Sequence, residues 1–225
     1  MPNQDFPLKA LELVEAFGWL YGWESVALSV FVKGMLPEDA KIVNVGSGVG
    51  TSGLSMAIAN PKATIYTVDI SAGGPLGGLE NERNAFEKAP GVPLPKQILG
   101  DSSATGINWK GGDLDLVLID GDHSRESITK DIDAWYPHVK AGGYIGFHDY
   151  QALVWEDVKN VVDAKMAADE KVLHVDTLII FRKYAAKVCE CEQSPEKQLA
   201  SSVENLKTVT ATLKTIPAKR AVKKA

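Results

Sequence analysis

The stretch "LDLVLIDGDHS", Leu114–Ser124, is an apolar run that ends abruptly in two carboxylates and an imidazole. A near-continuous run of this length reads as a buried strand of a parallel sheet. Acids at the end of such a strand are costly unless they bind something. Downstream, Ser124 is placed to N-cap a helix in which Ile128, Ile132, Trp135 and Val139 recur at four, three and four. Gly142-Gly143 are expected to stop that helix, and "YIGFHD" (144–149) is the next strand.

The same alternation extends both ways. "KIVNVG" (41–46), "ATIYTVD" (63–69) and "KQILGD" (96–101) read as strands, separated by helices over "TSGLSMAIA" (51–59) and "ENERNAFEKA" (80–89). "LVWEDVKNVVDAKMAA" (153–168) predicts an amphipathic helix with Val154, Val158, Val161 and Val162 on one side. "VLHV" and "TLIIFRK" close the body with no room for a helix between them, so one of the two must run antiparallel. The expectation is an α/β fold: a doubly wound, mostly parallel seven-stranded sheet with an antiparallel last strand. Ligands of such a sheet bind beyond the carboxyl ends of its strands.

Residues 8–36 carry helical spacing, with Leu8, Leu11 and Val14 before, and Leu28, Phe31, Val32 and Met35 after, the aromatic break "FGWLYGWES". Residues 1–40 are read as a helical lid, and Trp19, Tyr21, Trp23 and Tyr150 as candidates to line an acceptor pocket; core packing is the plain alternative. Residues 41–183 are the core, so that 1–183 form one domain. Residues 184–225 are a C-terminal extension whose helix, with Leu199, Val203, Leu206 and Leu213, is expected to pack on the body or form a homodimer. Its basic end, "PAKRAVKKA", reads as disordered.

Composition narrows the function. The 225 residues are 45% hydrophobic and 24% charged with formal net charge -5, ordinary globular usage that does not favour nucleic acid. From Lys183 onward nine basic face four acidic residues, so a basic tail hangs from an acidic body. No apolar run is long enough to span a membrane, and the N-terminus lacks secretory signal character. Cys189 and Cys191 are read as incidental, and the compartment as reducing cytoplasm.

The strand ends hold the candidate chemistry. Gly46, Gly48 and Gly50 permit a tight turn into a helix beginning near Thr51, whose free N–H groups suit an anion, and Ser52 adds a hydroxyl. Asp69, about twenty residues on, can accept hydrogen bonds from both hydroxyls of a ribose. Asp101 and Ser102 are candidates for an adenine edge, with a simple helix cap as the alternative for Asp101. Together these indicate an adenosine-containing cofactor, NAD or S-adenosylmethionine. Asp120, His148 and Asp149 end neighbouring strands about 4.8 Å apart. Two carboxylates that close repel unless a proton or cation lies between them. Oxygen ligands suit Mg²⁺ or Mn²⁺, and a His ligand shifts the balance towards Mn²⁺, Fe²⁺ or Zn²⁺.

With those residues in view, "IVNVGSGVGTSGLSMA", "TIYTVDI", "LGDSS", "LDLVLIDGDHSRESITKDIDAWYPHVKAGGYIGFHDY" and "TLIIFRK" resemble the class I S-adenosylmethionine-dependent methyltransferases, which have a Rossmann-like fold. The likeness covers about residues 40–183 and is nearest to the metal-dependent small-molecule O-methyltransferases of the macrocin/rhamnosyl and catechol types. It implies that Gly46, Ser47 and Gly48 hold the methionine part of the cofactor, with Ser52 on its carboxylate and Asn44 near its ammonium. Asp69 would bind the ribose and Asp101 and Ser102 the adenine, with Asp120 also on the cofactor side. Asp120, His148 and Asp149 fall on the metal positions, and Asp122 on that of a general base, with His123 able to serve cofactor or metal. Asn44 and His148 stand where the family more often has an acid. The resemblance implies methyl transfer to a hydroxyl of a small molecule or sugar, assisted by a divalent metal. A metal-independent methyltransferase with a His base, an NAD-binding oxidoreductase and a non-catalytic binding protein are the rival readings.

Overall fold

The computed structural model describes Leu20 and residues 22–184. Seven strands form one sheet: β1 (Lys41–Val45), β2 (Thr64–Asp69), β3 (Lys96–Leu99), β4 (Leu114–Ile119), β5 (Val139–Phe147), β6 (Glu170–Val175) and β7 (Leu178–Arg182). Their order is β3-β2-β1-β4-β5-β7-β6. β7 alone runs antiparallel to its neighbours β5 and β6. The helices are α1 (Gly22–Met35), α2 (Thr51–Ala59), α3 (Leu79–Glu87), α4 (Ser102–Ile107), α5 (Arg125–Trp135) and α6 (Glu156–Lys165).

Strand periodicity builds two cores. In β4, Val117 and Ile119 point to one face, where they meet Ile128, Ile132 and Trp135 of α5 and Val158, Val161 and Val162 of α6. Leu116 and Leu118 point to the other, against Leu28, Phe31 and Val32 of α1, Leu54 and Met56 of α2, and Phe86 of α3. All six β4 residues are therefore buried, which is why the run lacks polar alternation. Leu28 is fully buried, and truncating such a side chain typically costs about 2–5 kcal/mol.

β1 pairs with β2 on one side and β4 on the other. The chain winds outward from β1 to β3, then returns to β4 and winds the other way. A crevice opens at the carboxyl ends of β1 and β4, where the direction reverses. The ladders continue one residue past the strands: Asp120 N–H donates to Val45 O (2.9 Å), Gly46 N–H to Val68 O (2.9 Å) and His148 N–H to Ile119 O (3.1 Å).

Several expectations shift. Gly142-Gly143 do not stop α5, which ends at Trp135 and passes through a 3₁₀ turn, Tyr136–His138. They lie inside β5, where pairing jumps from Leu114–Val139 to Leu116–Tyr144 and the extra residues bulge out, with Gly142 at φ 74°. α6 starts at Glu156, so Val154 precedes it and is exposed rather than packed with the other valines. Tyr150 is buried in the core, its hydroxyl donating to Asp163 Oδ1 (2.7 Å), and does not line the cleft. Residues 1–19, Tyr21 and 185–225 lie outside the described residues. So do the first lid segment, Trp19, Tyr21, both cysteines, the C-terminal helix and the basic tail. No helix among the described residues is long and apolar enough to cross a membrane.

Candidate active site

The crevice is a cleft of about 630 Å³, within the range of small-ligand sites. Its lining includes Gly46, Gly48, Asp69, Asp101 and Ser102 on one side and Asp120, Asp122, His123, His148 and Asp149 on the other. Asn44, Ser47 and Ser52 are buried behind it and are not part of the lining.

On the first side the chain turns at Gly46, which has φ 86°. A Cβ there would stand 2.1 Å from the Asp120 carbonyl oxygen, so only glycine lets β1 and β4 close up at this point. Asp69, at the end of β2, accepts from Ser47 N (2.7 Å), Ser47 Oγ (2.6 Å) and Ser71 N (2.7 Å). It therefore clamps the glycine turn while facing the cleft. Asn44 donates to Gly46 O (2.9 Å), and its buried Oδ1 has no hydrogen-bond partner among the described residues. Asp101 caps α4, accepting from Ala104 N (2.7 Å). That bond and the one from Ser103 hold its carboxyl below the usual range. Ser102 Oγ accepts from Trp135 Nε1 (2.9 Å). Exposed Ile70 and Leu76 give this side apolar walls.

On the second side, side chains satisfy one another. His148 is 6% exposed, and its Nδ1 lies 3.1 Å from both Asp120 Oδ1 and Asp149 Oδ2. Its Nε2 lies 3.1 Å from Glu24 Oε2. Burial alone would lower the imidazole pKa, but hydrogen bonds to Asp120, Asp149 and Glu24 outweigh it and push it up to about 12. Burial likewise opposes ionisation of Asp149, yet the imidazoles of His123 and His148 hold its carboxyl well below the usual range. Asp149 adopts φ 55°, a left-handed conformation that Asp tolerates better than most residues. It does not cap a helix, since α6 begins only at Glu156.

His123 Nε2 is buried and lies 2.7 Å from Asp149 Oδ2, without the alignment of a hydrogen bond. Ligand atoms of Asp120, His123 and Asp149 fall within 4.8 Å of one another. Two overlapping trios thus share the carboxylates, one completed by His148 Nδ1 and one by His123 Nε2. A nitrogen and carboxylate oxygens aimed at a common gap, one nitrogen unpaired, are a donor set that fits a divalent cation. Trp155, which also lines the cleft, stacks on His123 (centroids 4.7 Å, planes 17° apart).

Asp122 is differently employed. It accepts from Ser127 Oγ (2.7 Å) and from Ser124 N and Oγ (3.1 Å each), at the start of α5. Those bonds hold its carboxyl below the usual range, which makes it a weak base. Glu24, Trp155 and the buried Asp131 of the lining were not visible as site residues in the sequence. Glu24 sits inside an aromatic stretch read as a break in a helical lid, and Trp155 inside a segment read as helix. Burial pushes the Asp131 carboxyl up to about 6 despite a hydrogen bond from Ser102.

Residues 43–150 match the family described as a methyltransferase domain. The fold resembles the SAH-bound methyltransferase PaMTH1 of Podospora anserina (TM-score 0.59, 16% identity, 80% of this chain and 88% of that one). It also resembles the O-methyltransferase NovP (TM-score 0.56, 18% identity, 79% of each chain). At such identities the likeness establishes the fold. A 56-residue stretch is 38% identical to an uncharacterized protein of Acanthamoeba polyphaga mimivirus, spanning a quarter of the length of each. The family match marks residues 43–150 as a methyltransferase domain, and the fold is that of the methyltransferase structures it resembles.

Proposed function

We propose that the chain is an S-adenosylmethionine-dependent O-methyltransferase acting on a hydroxyl of a small molecule or sugar, with a divalent cation, Mg²⁺ or Mn²⁺, held by Asp120, His148 and Asp149. The observation that carries this reading is the convergence of Asp120, His148 and Asp149 at 3.1 Å on one rim of the cofactor cleft. In this reading the glycine turn at Gly46 and Gly48 receives the methionine part, Asp69 the ribose hydroxyls, and Ser102 the adenine edge between the apolar walls. Asn44 Oδ1, buried and unpaired, supports a partner bearing N–H donors near β1.

A hydroxyl is a poor nucleophile at neutral pH, and a bound divalent cation would lower its pKa and fix its oxygen. The protein's own residues do the rest. His123 is placed to take the hydroxyl proton, since Asp122 is tied up at the helix start. Trp155 covers His123 and excludes water from that side. Holding acceptor oxygen and methyl carbon about 3–3.5 Å apart supplies much of the acceleration.

The test is SAH production from S-adenosylmethionine with a panel of vicinal diols and sugars. Turnover that disappears with EDTA and returns with Mg²⁺ or Mn²⁺ is expected. Turnover indifferent to EDTA would favour the second reading, a metal-independent enzyme using the His123–Asp149 pair, 2.7 Å apart, as its base. His148 does not suit that role, because both of its nitrogens face carboxylates.

A further inference from the structure

Glu24 has no part in the chemistry above, yet it is built into the centre. It lies in the first turn of α1 and is fully buried. An ionised carboxylate is expensive to bury unless its oxygens are satisfied. Oε1 accepts both the N–H and the hydroxyl of Thr177, each at 2.7 Å. Oε2 lies 3.1 Å from His148 Nε2. Thr177 stands in the turn between β6 and β7, and its carbonyl accepts the N–H of Tyr150 (2.9 Å), the residue after Asp149. α1, the β6–β7 turn and the end of β5 therefore meet at one carboxylate.

An imidazole is rigid, so whatever holds one ring nitrogen decides where the other points and which of them carries the proton. Nδ1 faces the gap between Asp120 Oδ1 and Asp149 Oδ2 and holds a proton there; with Nε2 donating to Glu24, it is the Nδ1 proton that a cation entering the gap displaces, leaving the Nδ1 lone pair aimed at the ion. We infer that Glu24 is a positioning residue of the cation centre: through His148 it aims a ring nitrogen between Asp120 and Asp149, and so sets how tightly the centre holds a divalent cation. The inference rests on the metal-assisted reading proposed above. The plain alternative is that Glu24 merely ties α1 to the hairpin, in which case its loss costs stability and nothing else.

Glu24→Gln separates the two. Its amide oxygen can keep the Thr177 donors. Its amide nitrogen then faces His148 Nε2 and asks that atom for a lone pair, which puts the ring proton on Nδ1, where a cation needs a lone pair instead. The measurement is Mn²⁺ titration of the full chain with SAH present, followed by the electron paramagnetic resonance signal of the free ion. SAH affinity by calorimetry and thermal unfolding run in parallel. Glu24→Gln is expected to weaken Mn²⁺ binding by roughly 10–100-fold, with SAH affinity within about twofold. Thr177→Val, which frees one anchor of Glu24, should weaken Mn²⁺ by a smaller factor. Unchanged Mn²⁺ affinity in Glu24→Gln alongside a lower melting temperature overturns the inference. Should that variant not fold, unchanged Mn²⁺ affinity in Thr177→Val overturns it. Wild-type chain that binds SAH but no Mn²⁺ brings down the metal reading, and this inference with it.

Discussion

The two sides of the cleft are built by different means. On the cofactor side the polar groups are held mostly within their own turns, with Asp69 also reaching 22 residues back to Ser47. Asp101 bonds the N–H three residues on, Asn44 bonds Gly46, and Asp69 bonds Ser71 and Ser47. On the side of Asp120, His148 and Asp149 the bonds span the chain, with Glu24 reaching His148 124 residues away and Thr177 153 residues away. The first side is turn chemistry, which local sequence dictates. The second is a charge cluster that exists only once distant elements pack, and its members need one another to stay ionised in a buried place. One side should therefore tolerate damage to the other.

The joint between them is Gly46, and Gly46→Ala should have the largest effect. Its Cβ would overlap the Asp120 carbonyl, in a backbone conformation that alanine disfavours. A loss of about 3–5 kcal/mol in denaturant unfolding is expected, damaging both sides at once. Next, Asp149→Asn should cut turnover and Mn²⁺ affinity roughly 100-fold or more, because ligands matter at least as much as the residues behind them. SAH affinity should hold, and its collapse would break the separation. Asp69→Asn is the mirror experiment. Loss of a charged hydrogen-bond acceptor for ribose, about 1.5–3 kcal/mol, should weaken SAH by roughly 10–100-fold and leave Mn²⁺ binding alone.

A further effect, spread over a pH range, belongs to the cofactor side. Glu82 of α3 is fully buried beneath the glycine turn and accepts from Thr67 Oγ1 (2.9 Å) and Gln97 Nε2 (2.9 Å). Burial pushes its carboxyl up to about 7 from 4.5. The folded chain thus holds a proton that the unfolded chain has released between those values. Its contribution to stability is full below pH 4.5 and falls as pH rises through 7. Relative to Glu82→Gln, the wild type should lose at most about 3 kcal/mol over that window, read by chemical denaturation at several pH values. A gap between the two proteins that does not change with pH would show that Glu82 is already ionised in the fold.

The residues that were legible and those that were not follow the same divide. β4 was readable because burial on both faces removes polar alternation, and the acids at its end stand out against that run. Asp69 and Asp101, singled out by their place near strand ends, both line the cleft. Ser52 was given a role from its place in a motif, yet the first turn of α2 buries it outside the cleft. Val154 fitted a helical period that Glu156 begins too late to include. Gly142-Gly143 look the same in sequence whether they stop a helix or form a bulge. Only the pairing of β5 with β4 distinguishes these outcomes. Tyr150 neighbours the centre in sequence, but the turn at Asp149 and Gln151, both at positive φ, sends it into the core.

By itself the sequence determined the alternation of strands and helices, the glycine turn, and which acids end which strands, because periodicity and turn chemistry act over a few residues. Tertiary structure alone decided that Glu24 stands behind His148 and that His123 meets Asp149. These are contacts between side chains far apart in the chain. Their energies depend on shared burial and mutual charge, and neither exists until the sheet has closed.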